Sequence, residues 1–334
     1  MAFASYLKFI IPTCFLLTYG SLPVIIYFKA SLFQELIFLS FMNKDKDIRD
    51  MRKHGIKSKG RSFYLSNRNG KKKVGAYHLL PKDLSDEHHN EILMDKDYED
   101  LLKDSQFPVV IYFHGIKGCR SNFPRVALYN KLTNLNCHVI AIDYQGFGDS
   151  DGKATEDGMV ESAIDVCKYV NDIVGNKFYI WGHSFGTGIS LKTAAILTLD
   201  NIIPSGIVLE SAFSSLKEVL NIHYISKLYN WSPFILENMI LDPFTKIGLT
   251  ALSTEHILKT DSPILMLHAE DDTKIPICLN TKLFNVALDS GKNVQRIIFP
   301  KSKQFGHCSI YKSEELNQLL PHFFLNCYNK QVFK

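Results

Sequence analysis

Gly182-His183-Ser184-Phe185-Gly186 lies between a β-rich apolar run (Phe178, Tyr179, Ile180, Trp181) and a run with helical spacing (Ile189, Leu191, Ala194, Ala195, Leu197). The G-x-S-x-G pattern in that setting predicts a sharp strand-to-helix turn. Glycines flank the serine because a Cβ at either place would clash, and the turn exposes the hydroxyl. It also aims the partial positive charge of the helix N-terminus at any oxyanion formed on attack by that serine. Working outward, short apolar runs at 109–113, 137–142, 178–181, 206–209, 263–267 and 295–299 read as strands buried on both faces. Helical patterns at 125–135 and 156–174 fall between them, so the chain reads as an α/β domain with a mostly parallel sheet flanked by helices. The long interval 211–256, which holds Tyr224, Tyr229, Trp231, Phe234 and Phe244, reads as an inserted helical lid.

A serine needs a base to take its proton, and the base needs an acid to orient it. On this kind of turn the acid and then the histidine follow the serine, on loops after later strands. The apolar run 264–267 leads into His268-Ala269-Glu270-Asp271-Asp272-Thr273-Lys274-Ile275-Pro276, where Asp272 fits a D-x-x-[VI]-P turn. Asp271 is the alternative acid, and Glu270 reads as a solvated turn carboxylate. His307, in Phe305-Gly306-His307-Cys308 between the last strand and the final helical pattern, reads as the base. His268 and His183 read as packing or hydrogen-bonding residues. Val109-Val110-Ile111-Tyr112-Phe113-His114-Gly115-Ile116-Lys117-Gly118 is a strand followed by a glycine loop able to fold over the serine. The backbone N–H groups of Ile116 and Phe185 are therefore the expected oxyanion donors. Lys117 and Arg120, near that loop, read as solvated charges or as contacts for an anionic headgroup. The turn 143–150 is expected to shape the site, and with no P-loop lysine after its glycines it is not a phosphate loop.

Of the 334 residues, 46% are apolar and 22% charged, enough for a large core. A formal net charge of +4 does not point to nucleic acid. The seven cysteines show no C-x-x-C spacing, so neither a zinc site nor a disulfide framework is expected, and no metal or organic cofactor. Residues 9–28 are uncharged and mostly apolar, bracketed by Lys8 and Lys29, which is enough to cross a bilayer. The expected organisation is a membrane anchor at 1–30, a membrane-proximal basic segment at 31–75 and a hydrolytic domain at 76–334. The basic residues after the span would put the body of the protein in the cytoplasm by the positive-inside rule.

The assembled motifs resemble the α/β-hydrolase superfamily, and within it the membrane-bound lipases that act on lysophosphatidylserine and monoacylglycerol. The carrying stretches are 112–118 (Tyr-Phe-His-Gly-Ile-Lys-Gly), 143–150 (Asp-Tyr-Gln-Gly-Phe-Gly-Asp-Ser), 179–188, 241–244 (Leu-Asp-Pro-Phe), 268–272 and 310–316. The resemblance implies an α/β-hydrolase fold and serine-dependent cleavage of a lipid acyl ester by Ser184, Asp272 and His307. It also implies a single N-terminal span with the catalytic domain in the endoplasmic reticulum lumen, against the charge rule. The sequon Asn230-Trp231-Ser232, followed by Pro233, bears little on that choice. Phe185 stands where leucine is usual in the family. The expected partners are a lipid ester and the membrane, with no nucleic acid and no obligate protein partner. A depalmitoylating thioesterase and a catalytically silent membrane-tethered binding module are the alternatives.

Overall fold

The computed structural model describes residues 2–38, 45, 47–66, 70, 72–104 and 106–332, without the side chains of 2–17, 225 and 330–332. The chain forms two compact units, Met1–Ile37 with Leu216–Thr250, and Phe38–Ser215 with Ala251–Lys334.

The larger unit is built on an eight-stranded sheet: β1 (Gly60–Ser66), β2 (Lys73–Leu79), β3 (Val109–Phe113), β4 (His138–Ile142), β5 (Phe178–His183), β6 (Gly206–Glu210), β7 (Ile264–Ala269) and β8 (Val294–Phe299). The strand order is β1-β2-β4-β3-β5-β6-β7-β8. β1 and β2 pair antiparallel, as do β2 and β4; every other pairing is parallel. β3, β4, β6 and β7 are buried along their whole length, which is why they read in sequence as unbroken apolar runs. The helix Glu156–Val174 starts at Thr155, whose hydroxyl caps the Gly158 N–H at 3.0 Å, and stops at Gly175, with φ 65°.

Two expectations need correction. The sheet begins at Gly60, so the stretch read as a membrane-proximal segment (31–75) contains β1 and the start of β2. β1 is an edge strand and only partly buried, so it lacks the apolar density of the central strands, and the lysines and arginines around it mask the pattern. The inserted segment is also shorter than the expected 211–256: Leu216–Thr250 makes up the cap, while Ala251 onward belongs to the larger unit. There the buried Glu156 carboxylate accepts the Ala251 N–H at 2.8 Å and the Lys192 ammonium at 3.0 Å.

The smaller unit contains the N-terminal helix Ala2–Phe38 as far as Ile37 and short helical pieces of the cap, among them Leu216–Ile222, Tyr224–Lys227 and Asp242–Lys246. The long helix is broken at Lys29, whose φ of −134° and ψ of 38° are not helical, at the residue expected to end the span. Thr18–Phe38 is long and apolar enough to cross a membrane, which makes this helix a candidate span. At the base of the cap the Leu216 N–H donates to the Thr250 carbonyl at 3.0 Å, so the segment begins and ends at one point.

Candidate active site

The turn after β5 has the form the sequence predicts. Ser184 takes φ 54° and ψ −122°, a conformation that L-residues avoid and that the surroundings must hold in place. Its N–H donates to the Glu210 carbonyl at 2.9 Å, and its own carbonyl accepts from the Thr187 N–H at 2.9 Å. The flanking glycines are required by space. A Cβ on Gly182 would lie 2.3 Å from the Ser190 hydroxyl oxygen, and one on Gly186 would lie 2.2 Å from the Phe113 carbonyl oxygen.

Three side chains from three loops meet here. The Ser184 hydroxyl lies 2.9 Å from His307 Nε2, and His307 Nδ1 lies 2.8 Å from Asp272 Oδ2. A carboxylate oxygen can only accept, so Nδ1 carries the proton and bare Nε2 accepts from the serine. Burial alone would raise the Asp272 carboxyl. The His307 bond and charge, with the Ile275 and Lys274 N–H groups at 3.0 and 2.9 Å, outweigh burial and hold it below the usual range. The group is therefore ionised at neutral pH, as an orienting acid must be.

The neighbouring carboxylates also have structural partners. Asp271 accepts the Gly306 N–H at 3.0 Å, and Glu270 accepts the Lys301 N–H at 2.9 Å. Three consecutive acids thus hold three points of the loop that carries His307. His183 Nε2 donates to the His307 carbonyl at 2.8 Å, and buried His268 donates to the Ile275 carbonyl at 3.0 Å. Burial drives the His183 ring down to about 3, so it stays neutral.

The loop after β3 lies against the turn: a Cβ on Gly115 would be 3.3 Å from Ser184 Cβ. His114, fully buried, donates from Nδ1 to the Gly115 carbonyl at 2.7 Å, and the Tyr144 hydroxyl donates to the His114 carbonyl at 3.1 Å. In a trans peptide the C=O and N–H point opposite ways, so the His114 bond fixes the direction of the Ile116 N–H. Phe185 is the first residue of the helix Phe185–Leu199, and its ring meets Phe147's neighbour Phe38 edge-on at 5.7 Å.

Arg120 is not available to a headgroup. It is fully buried, with Nη1 2.6 Å from both Asp143 and Asp149, and its guanidinium lies 4.7 Å from the centre of the Tyr77 ring. Lys117, by contrast, is exposed.

Sequence reasoning missed Glu210. It ends β6 opposite His183, is 4% exposed, and accepts the Trp181 indole N–H at 3.0 Å. Burial, augmented by the negative charge of Asp272, pushes its carboxyl up to about 7 despite the Trp181 bond. The signal was a lone acid closing the apolar run Gly206-Ile207-Val208-Leu209-Glu210. Among the described residues, donor atoms of His183, His307 and Cys308 lie within 4.8 Å of one another. Both His307 nitrogens and His183 Nε2 are engaged in the hydrogen bonds above, so the three do not stand free as a ligand set.

The α/β-hydrolase fold family matches residues 108–232. Over 312 residues the chain is 33% identical to the lysophosphatidylserine lipase ABHD12 of Danio rerio, covering 91% of this chain and 80% of the relative. The chain belongs to the ABHD12 family of α/β hydrolases. Its Rattus norvegicus member is also 33% identical, over 317 residues that cover 93% of this chain and 78% of that protein. Protein ABHD12B of Homo sapiens is 33% identical over 263 residues, 76% of this chain and 70% of the relative. Solved structures share the fold at lower identity. The esterase Est1E from Butyrivibrio proteoclasticus, with ferulic acid bound, has a TM-score of 0.56 at 19% identity, covering 80% of this chain and 99% of that one. The Pyrococcus furiosus esterase Pf2001 has a TM-score of 0.58 at 14% identity, covering 83% and 92%. As an ABHD12-family member with this fold, the protein is a serine ester hydrolase.

Proposed function

We propose that the protein cleaves the acyl ester of lysophospholipids, lysophosphatidylserine first among them, and of monoacylglycerol, with Ser184, His307 and Asp272 as its triad. The observation that carries this reading is the hydrogen-bonded line from the Ser184 hydroxyl through His307 to Asp272, in a chain whose relatives are named for that lipid. Ser184 Oγ attacks the ester carbonyl while His307 Nε2 takes the hydroxyl proton. The Ile116 and Phe185 N–H groups receive the oxyanion, a contribution of about 3 kcal/mol per donor. Collapse breaks the ester C–O bond, and His307 returns the proton to the leaving glycerol oxygen. Water, deprotonated by the same histidine, then releases the fatty acid and restores Ser184.

The N-terminal helix serves as a single-pass anchor, with the hydrolase unit in the endoplasmic reticulum lumen. The apolar helix and the family resemblance support this reading. The test is fluorophosphonate labelling of the membrane-embedded protein, wild type beside Ser184→Ala, His307→Ala and Asp272→Ala. A screen of lysophosphatidylserine, monoacylglycerol and palmitoyl-thioester peptide follows. Labelling lost in Ser184→Ala, with release of fatty acid from the lysolipid, is the expected result. An unlabelled but folded wild type overturns the mechanism, and turnover of the thioester alone overturns the substrate. Protease protection of the hydrolase unit in sealed microsomes tests the topology.

A further inference from the structure

Pro23 interrupts the hydrogen-bond ladder of the N-terminal helix at a defined place. It has no N–H to give to the carbonyl four residues earlier, that of Tyr19. The Tyr229 hydroxyl, from the cap, donates to this carbonyl at 2.7 Å. The two tyrosine rings stack, with centroids 4.8 Å apart and planes 9° from parallel. The Tyr19 hydroxyl in turn donates to the Leu228 carbonyl at 2.7 Å and accepts the Trp231 indole N–H at 2.5 Å. All these residues belong to the same compact unit. Polar groups that lipid cannot satisfy are thus satisfied by one another, which is what burial in a bilayer demands.

The cap turns several large apolar side chains outward, alongside exposed Lys227 and Asn230. Tyr224, Trp231 and Phe234 are 70%, 67% and 69% exposed, and the helix beside them exposes Val24, Ile25, Phe28 and Leu32. Residues 224–235 carry a single formal charge, Lys227, whose long stem lets its ammonium reach water. In the span 9–28 suggested by the sequence, Tyr19 lies near the middle and Tyr27 at the end. Groups bonded to the Tyr19 hydroxyl and carbonyl share its depth. Eight residues further along, about 12 Å up a helix, the Lys246 ammonium lies 5.7 Å from the centre of the Tyr27 ring, a pairing suited to the headgroup layer.

We propose that the cap segment 224–235 is seated in the lipid bilayer beside the N-terminal helix, its depth fixed by the clasp of Tyr19, Tyr229 and Trp231. The proposal rests on the anchor part of the functional reading. The bilayer is the occupant of this apolar face because the face continues the outward surface of the helix read as the span.

The chain has two tryptophans, Trp231 and the fully buried Trp181, so fluorescence reports on the segment directly. The test uses the full-length protein in phosphatidylcholine vesicles brominated along the acyl chain, with Trp231→Phe to isolate the Trp181 emission. The expected result is loss of most of the Trp231 emission in wild type and little quenching in Trp231→Phe. Tyr229→Phe, which removes the hydroxyl that replaces the missing proline N–H, should weaken the quenching while fluorophosphonate labelling of Ser184 persists. Unquenched Trp231 in protein that resists alkaline carbonate extraction overturns the seated cap and leaves the anchor standing. Extraction by carbonate overturns both. A glycan on Asn230, or an unquenched Trp231 in crosslinkable dimers, also overturns the proposal, the latter by assigning the face to a second copy.

Discussion

Asp271 accepts the Gly306 N–H at 3.0 Å, one residue before the histidine whose ring the adjacent Asp272 holds at 2.8 Å. Neighbouring carboxylates thus grip the same loop by backbone and by side chain. Asp272→Asn should lower turnover by about 10⁴-fold, because an amide favours the wrong imidazole tautomer. Asp271→Asn should cost far less, since an amide oxygen can still accept the Gly306 N–H. Single-turnover kinetics on both variants checks the order; an Asp271→Asn defect as deep as that of Asp272→Asn would assign the orienting acid to the wrong residue.

Glu210 gives the hydrolase unit a pH dependence of known sign. Its carboxyl is raised from the usual 4.5 to about 7, so its contribution to stability is fully present below pH 4.5 and is lost as pH rises through 7. Glu210→Gln keeps an acceptor for the Trp181 indole and removes the ionisation. Its stability relative to wild type should therefore improve steadily between pH 4.5 and 7, as read by thermal unfolding. A constant difference across that window refutes the assignment.

The buried pair His78 and His138, 3.1 Å apart, acts in the opposite direction. Burial lowers both, His138 to about 3, so the folded state resists protons that the unfolded chain takes up below 6.5. Stability should be full above pH 6.5 and fall as pH drops toward 3. Replacing His138 with Gln should flatten this acid limb in denaturant titrations at pH 7 and pH 5.

Gly186→Ala should abolish folding or labelling, since the new Cβ would lie 2.2 Å from a backbone carbonyl on β3 that has no room to retreat. Overpacking of this kind costs about 1–3 kcal/mol or more. Gly20→Ala, where nothing lies within 4 Å, is the matched control and should be silent in membrane-bound yield and probe labelling.

Arg120→Met should destabilise by about 3–5 kcal/mol, because it strands Asp143 and Asp149 without their cation. Headgroup preference of the folded fraction should not change, and a changed preference would return Arg120 to the binding surface.

The parts legible in the sequence share a physical cause. β3, β5 and β7 announce themselves because both faces are buried, and Ser184 because its turn tolerates only glycine on either side. Asp272 and His307, which the structure brings to Ser184, were legible as candidates because chain order fixes which loops follow the serine. β1 stayed hidden because an edge strand needs only half an apolar pattern and this one is surrounded by lysine and arginine. Arg120 looked like a surface charge because its partners Asp143 and Asp149 lie more than twenty residues away, beyond any local pattern. Glu210 was passed over since a single acid after an apolar run marks a strand end far more often than a buried carboxyl. The clasp on Tyr19 was out of reach, because Pro23 reads as a weakness in a helix until Tyr229 is seen to donate where the proline cannot.

The bond between Leu216 and Thr250 ties the cap at its neck. A segment whose two ends meet can change length at little thermodynamic consequence, about 0.6 kcal/mol for each doubling of a flexible loop. Natural variation is then free to lengthen, shorten or exchange everything beyond the neck while the sheet and its serine stay as they are. Chimaeras cut at 216 and 250 that keep Tyr229 and Trp231 should retain fluorophosphonate labelling of Ser184.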